Sequence, residues 1–274
     1  MVLISRMLTA HFQVMYLRNF VNIRKLEAAM KNIPMLSEGA FPSDMTDFPK
    51  SPQDVYRAAV NKMLAKREYG DQPLRILSWI LYAARPLKME ELQEALAVDE
   101  DATELLERHK TSPEEIVNTC EPLVDYDKST RVVKFTHDTV REFLEKNCKH
   151  ELYGPQDLAK TCLYYFGLDE FNEPCPDQKA LQIRLEKFKF TEYACEHWGF
   201  HGRGTPKDEA DIEEVTFRTL GTSKLQSVAQ INRYVSFGRF ELPKQSILFH
   251  GLALNGLSTL CQRLLDKKLQ DGGL

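Results

Sequence analysis

The stretch LVDYDKSTRVVKF, Leu123–Phe135, sets the fold of this chain. Leu123-Val124-Asp125-Tyr126 and Val132-Val133-Lys134-Phe135 alternate with a period of two, and the turn-forming run Asp127-Lys128-Ser129-Thr130 separates them. That pattern predicts a β-hairpin. Both flanks are helical in period. Val140, Phe143 and Leu144 place a helix directly after the second strand. Upstream, Ser112-Pro113-Glu114-Glu115 is a capping box with proline in the first turn, and its helix runs to about Cys120.

Further upstream, MEELQEALA (89–97) reads as a short amphipathic helix. LRILSWILYAA (74–84) is apolar nearly all round, which predicts a central helix opened by Pro73 and closed at Arg85-Pro86. The acidic stretch 98–108 is expected to be peripheral. The order is three helices, a hairpin and a helix, the layout of a winged-helix domain. Tyr56, Ala59, Val60, Met63 and Leu64 form a helical stripe before it, closed by Gly70. Residues 3–17 and 22–32 also read as helices, and 34–52, with four prolines and Gly39, as a linker. After the hairpin module, 156–167, 177–187 and 188–201 are predicted helices. The Gly/Pro-containing, then acidic 202–215 is expected to be a loop, and 213–269 helical with breaks near Gly221 and Pro243. The fold class is thus mainly α with one β-hairpin.

Composition narrows the function classes. The 274 residues are 43% hydrophobic and 28% charged, and 36 Lys+Arg against 40 Asp+Glu leave a net charge of −4. This fits a folded, soluble chain and gives no chain-wide basic footprint for nucleic acid. No run approaches the roughly 18 apolar residues of a membrane span. Residues 1–26 lack acids and carry Arg6, Arg18, Arg24 and Lys25, but they lack the serine content of a presequence. The six cysteines, Cys120, Cys148, Cys162, Cys175, Cys195 and Cys261, form no CxxC pair and read as small core residues of a reducing, cytoplasmic compartment.

Three blocks carry a family resemblance: ILSWILYAARPLKMEELQEALAV (76–98), EEIVNTCEPLVDY (114–126) and VVKFTHDTVREFLEK (132–146). In order and spacing they resemble the winged helix that follows the NACHT core in fungal STAND proteins. These are NOD-like, signal-transducing P-loop ATPases that often carry ankyrin repeats. The module is also called the GPI inositol-deacylase winged helix, a label that implies no deacylase chemistry. RMLTAHFQVMYLRNFVNIRKLEAAMKNIP (6–34) is similar to the helical tail of the NACHT module, VYRAAVNKML (55–64) to the next family helix, and FKFTEYACEHWGFHGRG (188–204) to a downstream aromatic helix. ILFHGLALNGLSTLCQRLLDKK (247–268) resembles a degenerate first ankyrin repeat, with His250, Ala253, Gly256, Leu264 and Leu265 in place. The implied organisation is a helical tail (1–70), a winged helix (71–150), a helical region (151–240) and an ankyrin-like repeat (241–274).

The sequence contains no G-x-x-x-x-G-K-[ST] phosphate cradle. On the resemblance, an ATPase core lies before residue 1, and the chain is expected to be the C-terminal regulatory half of such a protein. In related proteins a histidine at the place of His137 contacts the β-phosphate of ADP. The resemblance thus implies a nucleotide-sensing role for His137 and Asp138. In this chain, which lacks the phosphate cradle, both residues are read as organising the strand-to-helix turn, with Asp138 a candidate cap.

His197 and His201 have the i, i+4 spacing of a helix metal pair, but Trp198 stands where a zincin would carry glutamate, so no metal is expected. His250 is read as a turn brace. With no G-x-S-x-G elbow, hydrolase chemistry has no nucleophile motif. The Glu90-Glu91 and Glu114-Glu115 pairs fit the first turns of helices. The candidate recognition helix, TSPEEIVNTCE (111–121), has no Lys or Arg and repels phosphate, so a DNA-binding regulator is the second choice and a lipid or ester hydrolase the third. The expectation is a non-enzymatic protein-interaction module with no cofactor, no nucleic acid and no membrane.

Overall fold

A computed structural model describes residues 51–65, 70–220 and 222–240. The predicted helices 3–17 and 22–32, most of the 34–52 linker, His250, Cys261 and the ankyrin-like stretch lie outside the described residues. Within them the chain is mainly helical, with a single two-stranded antiparallel hairpin.

Helix α1 (Pro52–Ala65) buries Tyr56, Ala59, Val60 and Met63. Helix α2 (Gln72–Tyr82) takes Pro73 in its first turn and buries Ile76, Leu77, Ser78, Trp79 and Leu81, nearly its whole circumference. Ser78 is tolerated inside because its hydroxyl donates to the Leu74 carbonyl (2.7 Å) and accepts from the Tyr153 N–H (2.9 Å). Helix α3 (Met89–Leu96) opens with Glu91 reaching back to the Lys88 N–H at 2.7 Å. Helix α4 (Pro113–Thr119) is capped by Ser112 Oγ, which accepts the Glu115 N–H at 3.2 Å.

The wing pairs β1 (Val124–Asp127) with β2 (Val132–Phe135), in a register from Val124↔Phe135 to Asp127↔Val132. The first strand lies one residue later than its predicted start. The Asp127 carboxylate takes the turn position instead, accepting from Ser129 N–H (2.9 Å) and Ser129 hydroxyl (2.6 Å). Those bonds hold its carboxyl down at about 2. Arg131 adopts a left-handed φ of 61° to leave the turn. The segment Leu87–Met89 adds to the far side of β2, through Met89 N–H to the Arg131 carbonyl (2.8 Å) and Val133 N–H to the Leu87 carbonyl (3.1 Å). On the free side of β1, the Tyr126 N–H is taken by the Asp125 carboxylate at 2.9 Å. Helix α5 (Asp138–Asn147) follows, and its Phe143 meets Tyr56 edge-on at 5.6 Å.

Five helices complete the described chain: α6 (Pro155–Phe166), α7 (Gln178–Lys187), α8 (Thr191–His201), α9 (Pro206–Thr219) and α10 (Thr222–Phe237). Helix α6 is central, packed by α8 and α9, while α10 lies on α8. Helix α9 overturns the loop expected over 202–215. Thr205 Oγ1 accepts the Asp208 N–H (3.3 Å), and Asp208 returns the bond to the Thr205 N–H (2.9 Å). Ile212, Val215 and Thr216 then bury one stripe beneath an acidic outer face. Gly167 lets α9 approach α6, since a Cβ there would lie 2.7 Å from Thr219 Cγ2. The buried side chains form one continuous core from α1 to α10.

Candidate functional site: the winged helix and its seam

His137 and Asp138 sit where β2 hands over to α5, and both are exposed. His137 occupies the N-cap position, with extended backbone, and its carbonyl accepts the Val140 N–H at 3.1 Å. Asp138, the candidate cap, is instead the first helical residue, where its charge favours the helix N-terminus. The turn is pinned by Thr136, whose N–H donates to the Leu123 carbonyl (3.0 Å) and whose hydroxyl donates to that of Pro122 (3.1 Å). From the same helix, Arg141 donates to the last carbonyls of α2, Leu81 (2.5 Å) and Ile80 (3.0 Å). The handover is thus tied to the residues just before β1 and to α2, and the His137-Asp138 pair is exposed.

The α4 surface carries Glu114, Glu115 and Asn118, and Glu121 follows it, all exposed. In the wing, Lys128 and Lys134 are exposed, while Arg131 pairs with Glu90.

His197 and His201 lie on one helix but do different things. His201 is fully buried, with Nε2 2.8 Å from the Tyr193 hydroxyl. That hydroxyl also accepts the Ala84 N–H (2.9 Å) at the end of α2. Burial, reinforced by His197, pushes His201 down to about 4, so its ring is neutral. His197 is half-buried against the Tyr193 ring at 4.7 Å and is lowered by the same burial. Among the described residues, no group of three or more His, Cys, Asp or Glu side chains is placed to hold a metal ion. The five cysteines among them are buried and reduced, and burial raises each thiol above its usual range.

Local sequence patterns did not reveal the seam between the winged helix and α6–α10. Trp79 of α2 meets Phe190 (5.3 Å) and Tyr193 (5.9 Å) edge-on. Arg85, just past α2, forms a two-pronged pair with buried Glu91 (2.9 and 2.7 Å) and lies 5.0 Å over the Tyr193 ring. Glu94 of α3 is the most deeply buried acid of the seam. One oxygen accepts from Lys110 Nζ at 3.1 Å, and the other accepts from the Tyr165 hydroxyl (2.7 Å) and the Phe190 N–H (2.9 Å). Burial acts to lower Lys110, but its bonds to Glu107 and Glu94 raise it on balance, so the ammonium stays charged. An open polar groove of about 390 Å³ runs along the outside of the seam, with Lys88 and Arg131 on one bank and Glu186, Lys189 and Tyr234 on the other.

Helices α2–α4, the wing and α5 define a winged-helix domain. Residues 60–153 match the family model described as "GPI inositol-deacylase, winged helix domain", so the chain carries a winged helix of that type. A curated protein of Monascus ruber, "Azaphilone pigments biosynthesis cluster protein L", is 26% identical over 169 residues. The match covers 55% of this chain and 35% of that relative. No solved structure matches the chain. Among the described residues, no helix is long and apolar enough to cross a membrane.

Proposed function

We propose that this chain is a non-enzymatic regulatory and protein-interaction module of a NACHT/STAND-type signalling ATPase, acting in the cytoplasm on a protein partner. The observation that carries the reading is a winged helix of the GPI inositol-deacylase type in a sequence with no phosphate-cradling loop. The acidic α4 surface supports a protein rather than a nucleic-acid partner, because a groove-reading helix needs cations to approach phosphate. On this reading, His137 and Asp138 form the edge of the winged helix that meets a nucleotide-bound core supplied by another polypeptide segment, with the histidine donating to phosphate. The winged helix then responds to nucleotide state by shifting against that core. The test is calorimetric titration of the chain with ADP and ATP in magnesium buffer. The expected result is no binding heat at micromolar protein. Tight binding by the chain alone would overturn the reading.

A further inference from the structure

The acidic stretch 98–108, expected to be peripheral, instead forms with the residues up to Thr111 a bridge between the two halves of the molecule. Its Ala102 and Leu105 pack against the core. At its start, Glu100 pairs with Arg218 of α9. In the middle, the Thr103 carbonyl accepts the Asp169 N–H (2.8 Å), just beyond α6. At its end, Thr111 is buried, its carbonyl accepting from Gln93 of α3 (2.7 Å) and its hydroxyl contacting Gln72 of α2. One segment is thus tied to α2 and α3 on one side and to α6 and α9 on the other.

From this arrangement we infer that residues 98–111 are a strap clamping the winged helix to the helical region, with the Lys110–Glu94 ion pair as its lock. Glu94 is only 1% exposed, and Lys110, on the strap, is 17% exposed. The remaining donors to Glu94, Tyr165 and Phe190 N–H, come from α6 and the start of α8. Withdrawing Lys110 leaves an anion facing the N-terminal end of α8 without its cation, in a site that excludes water. The strap end therefore reports directly on the seam. A partner that engages the exposed acids Asp99, Asp101 and Glu104 acts on the same segment that carries the lock.

Hydrogen exchange on the full chain, read by mass spectrometry, tests it. Lys110→Met keeps the long apolar stem but removes the charge. Exchange is expected to quicken tenfold or more at 98–111, at the Asp169 amide and at the first turn of α8, while 124–135 in the wing is unchanged. Lys110→Met/Glu94→Gln, which removes the stranded anion, is expected to recover part of the protection at α8. Arg218→Ala releases the opposite end and is expected to quicken 98–111 and Asp169 more weakly. It stands in if Lys110→Met does not fold. Acceleration confined to 98–111 in these variants would overturn the strap, as would wild-type exchange throughout.

Discussion

Lowering the pH from 6.5 towards 4 should destabilise this protein through one buried ring. His201 has an ordinary value of 6.5 and is held at about 4 in the fold, chiefly by burial. Between these values the unfolded chain binds a proton that the folded chain refuses, so stability rises with pH across the window. The contribution is complete above 6.5 and is lost as pH falls towards 4. At about 1.4 kcal/mol per pH unit, the gap is worth about 3 kcal/mol, a large share of a typical domain's stability.

The structure gives the reason. Nε2 lies 2.8 Å from the Tyr193 hydroxyl, which also accepts the Ala84 N–H, and Nδ1 is buried with no hydrogen-bond partner among the described residues. A second ring proton would charge a fully buried ring and leave the Nδ1–H without an acceptor. Trp79, 2% exposed and 6.2 Å from the ring, supplies the fluorescence signal. Urea unfolding of wild type and His201→Gln at pH 7, 5.5 and 4.5 provides the assay. The variant is expected to lose far less stability between pH 7 and 4.5 than the wild type. Equal losses in the two proteins would refute the argument. His197, lowered in the same direction, accounts for a smaller residue that His197→Gln removes.

Two further outcomes follow from the seam and from α9. Arg85→Ala strands Glu91, whose side chain is 6% exposed. Because Arg85 is itself 34% exposed, the expected cost is about 2–3 kcal/mol rather than the larger penalty of a fully buried pair, read by urea unfolding at pH 7. Thr205→Ala removes the cap that opens α9 and should cost about 1 kcal/mol, seen as a lower melting temperature in circular dichroism with little change in folded-state helicity.

The winged helix was legible because its signals are local. The switch from the helical period of 74–97 to the alternation of 123–135 names three layers without reference to anything distant. Pro73 and Pro113 mark helix starts by their fixed backbone geometry, and Ser112 by its side-chain cap. Helix α9 was hidden because Lys207, Asp208, Asp211 and Glu214 dilute the Ile212, Val215, Thr216 stripe until the segment reads as an acidic loop. The bridge of Leu87–Met89 to β2 is too short to show a period. The partners of Glu94 lie 16, 71 and 96 positions away, and its neighbourhood, MEELQEAL, looks like any solvated first turn. His201 stands out in the sequence for its spacing to His197, but its hydrogen bond goes to Tyr193.

The carboxylate of Asp125 has a consequence for association. A two-stranded sheet ordinarily offers both margins to a passing strand. Here one margin of the wing is occupied by Leu87–Met89, and on the other an outward N–H, that of Tyr126, is already bonded to its neighbour's side chain. An incoming strand would have to displace that anion to reach the Tyr126 N–H. The free margin of the wing is therefore blunted at Tyr126 as an edge for strand addition.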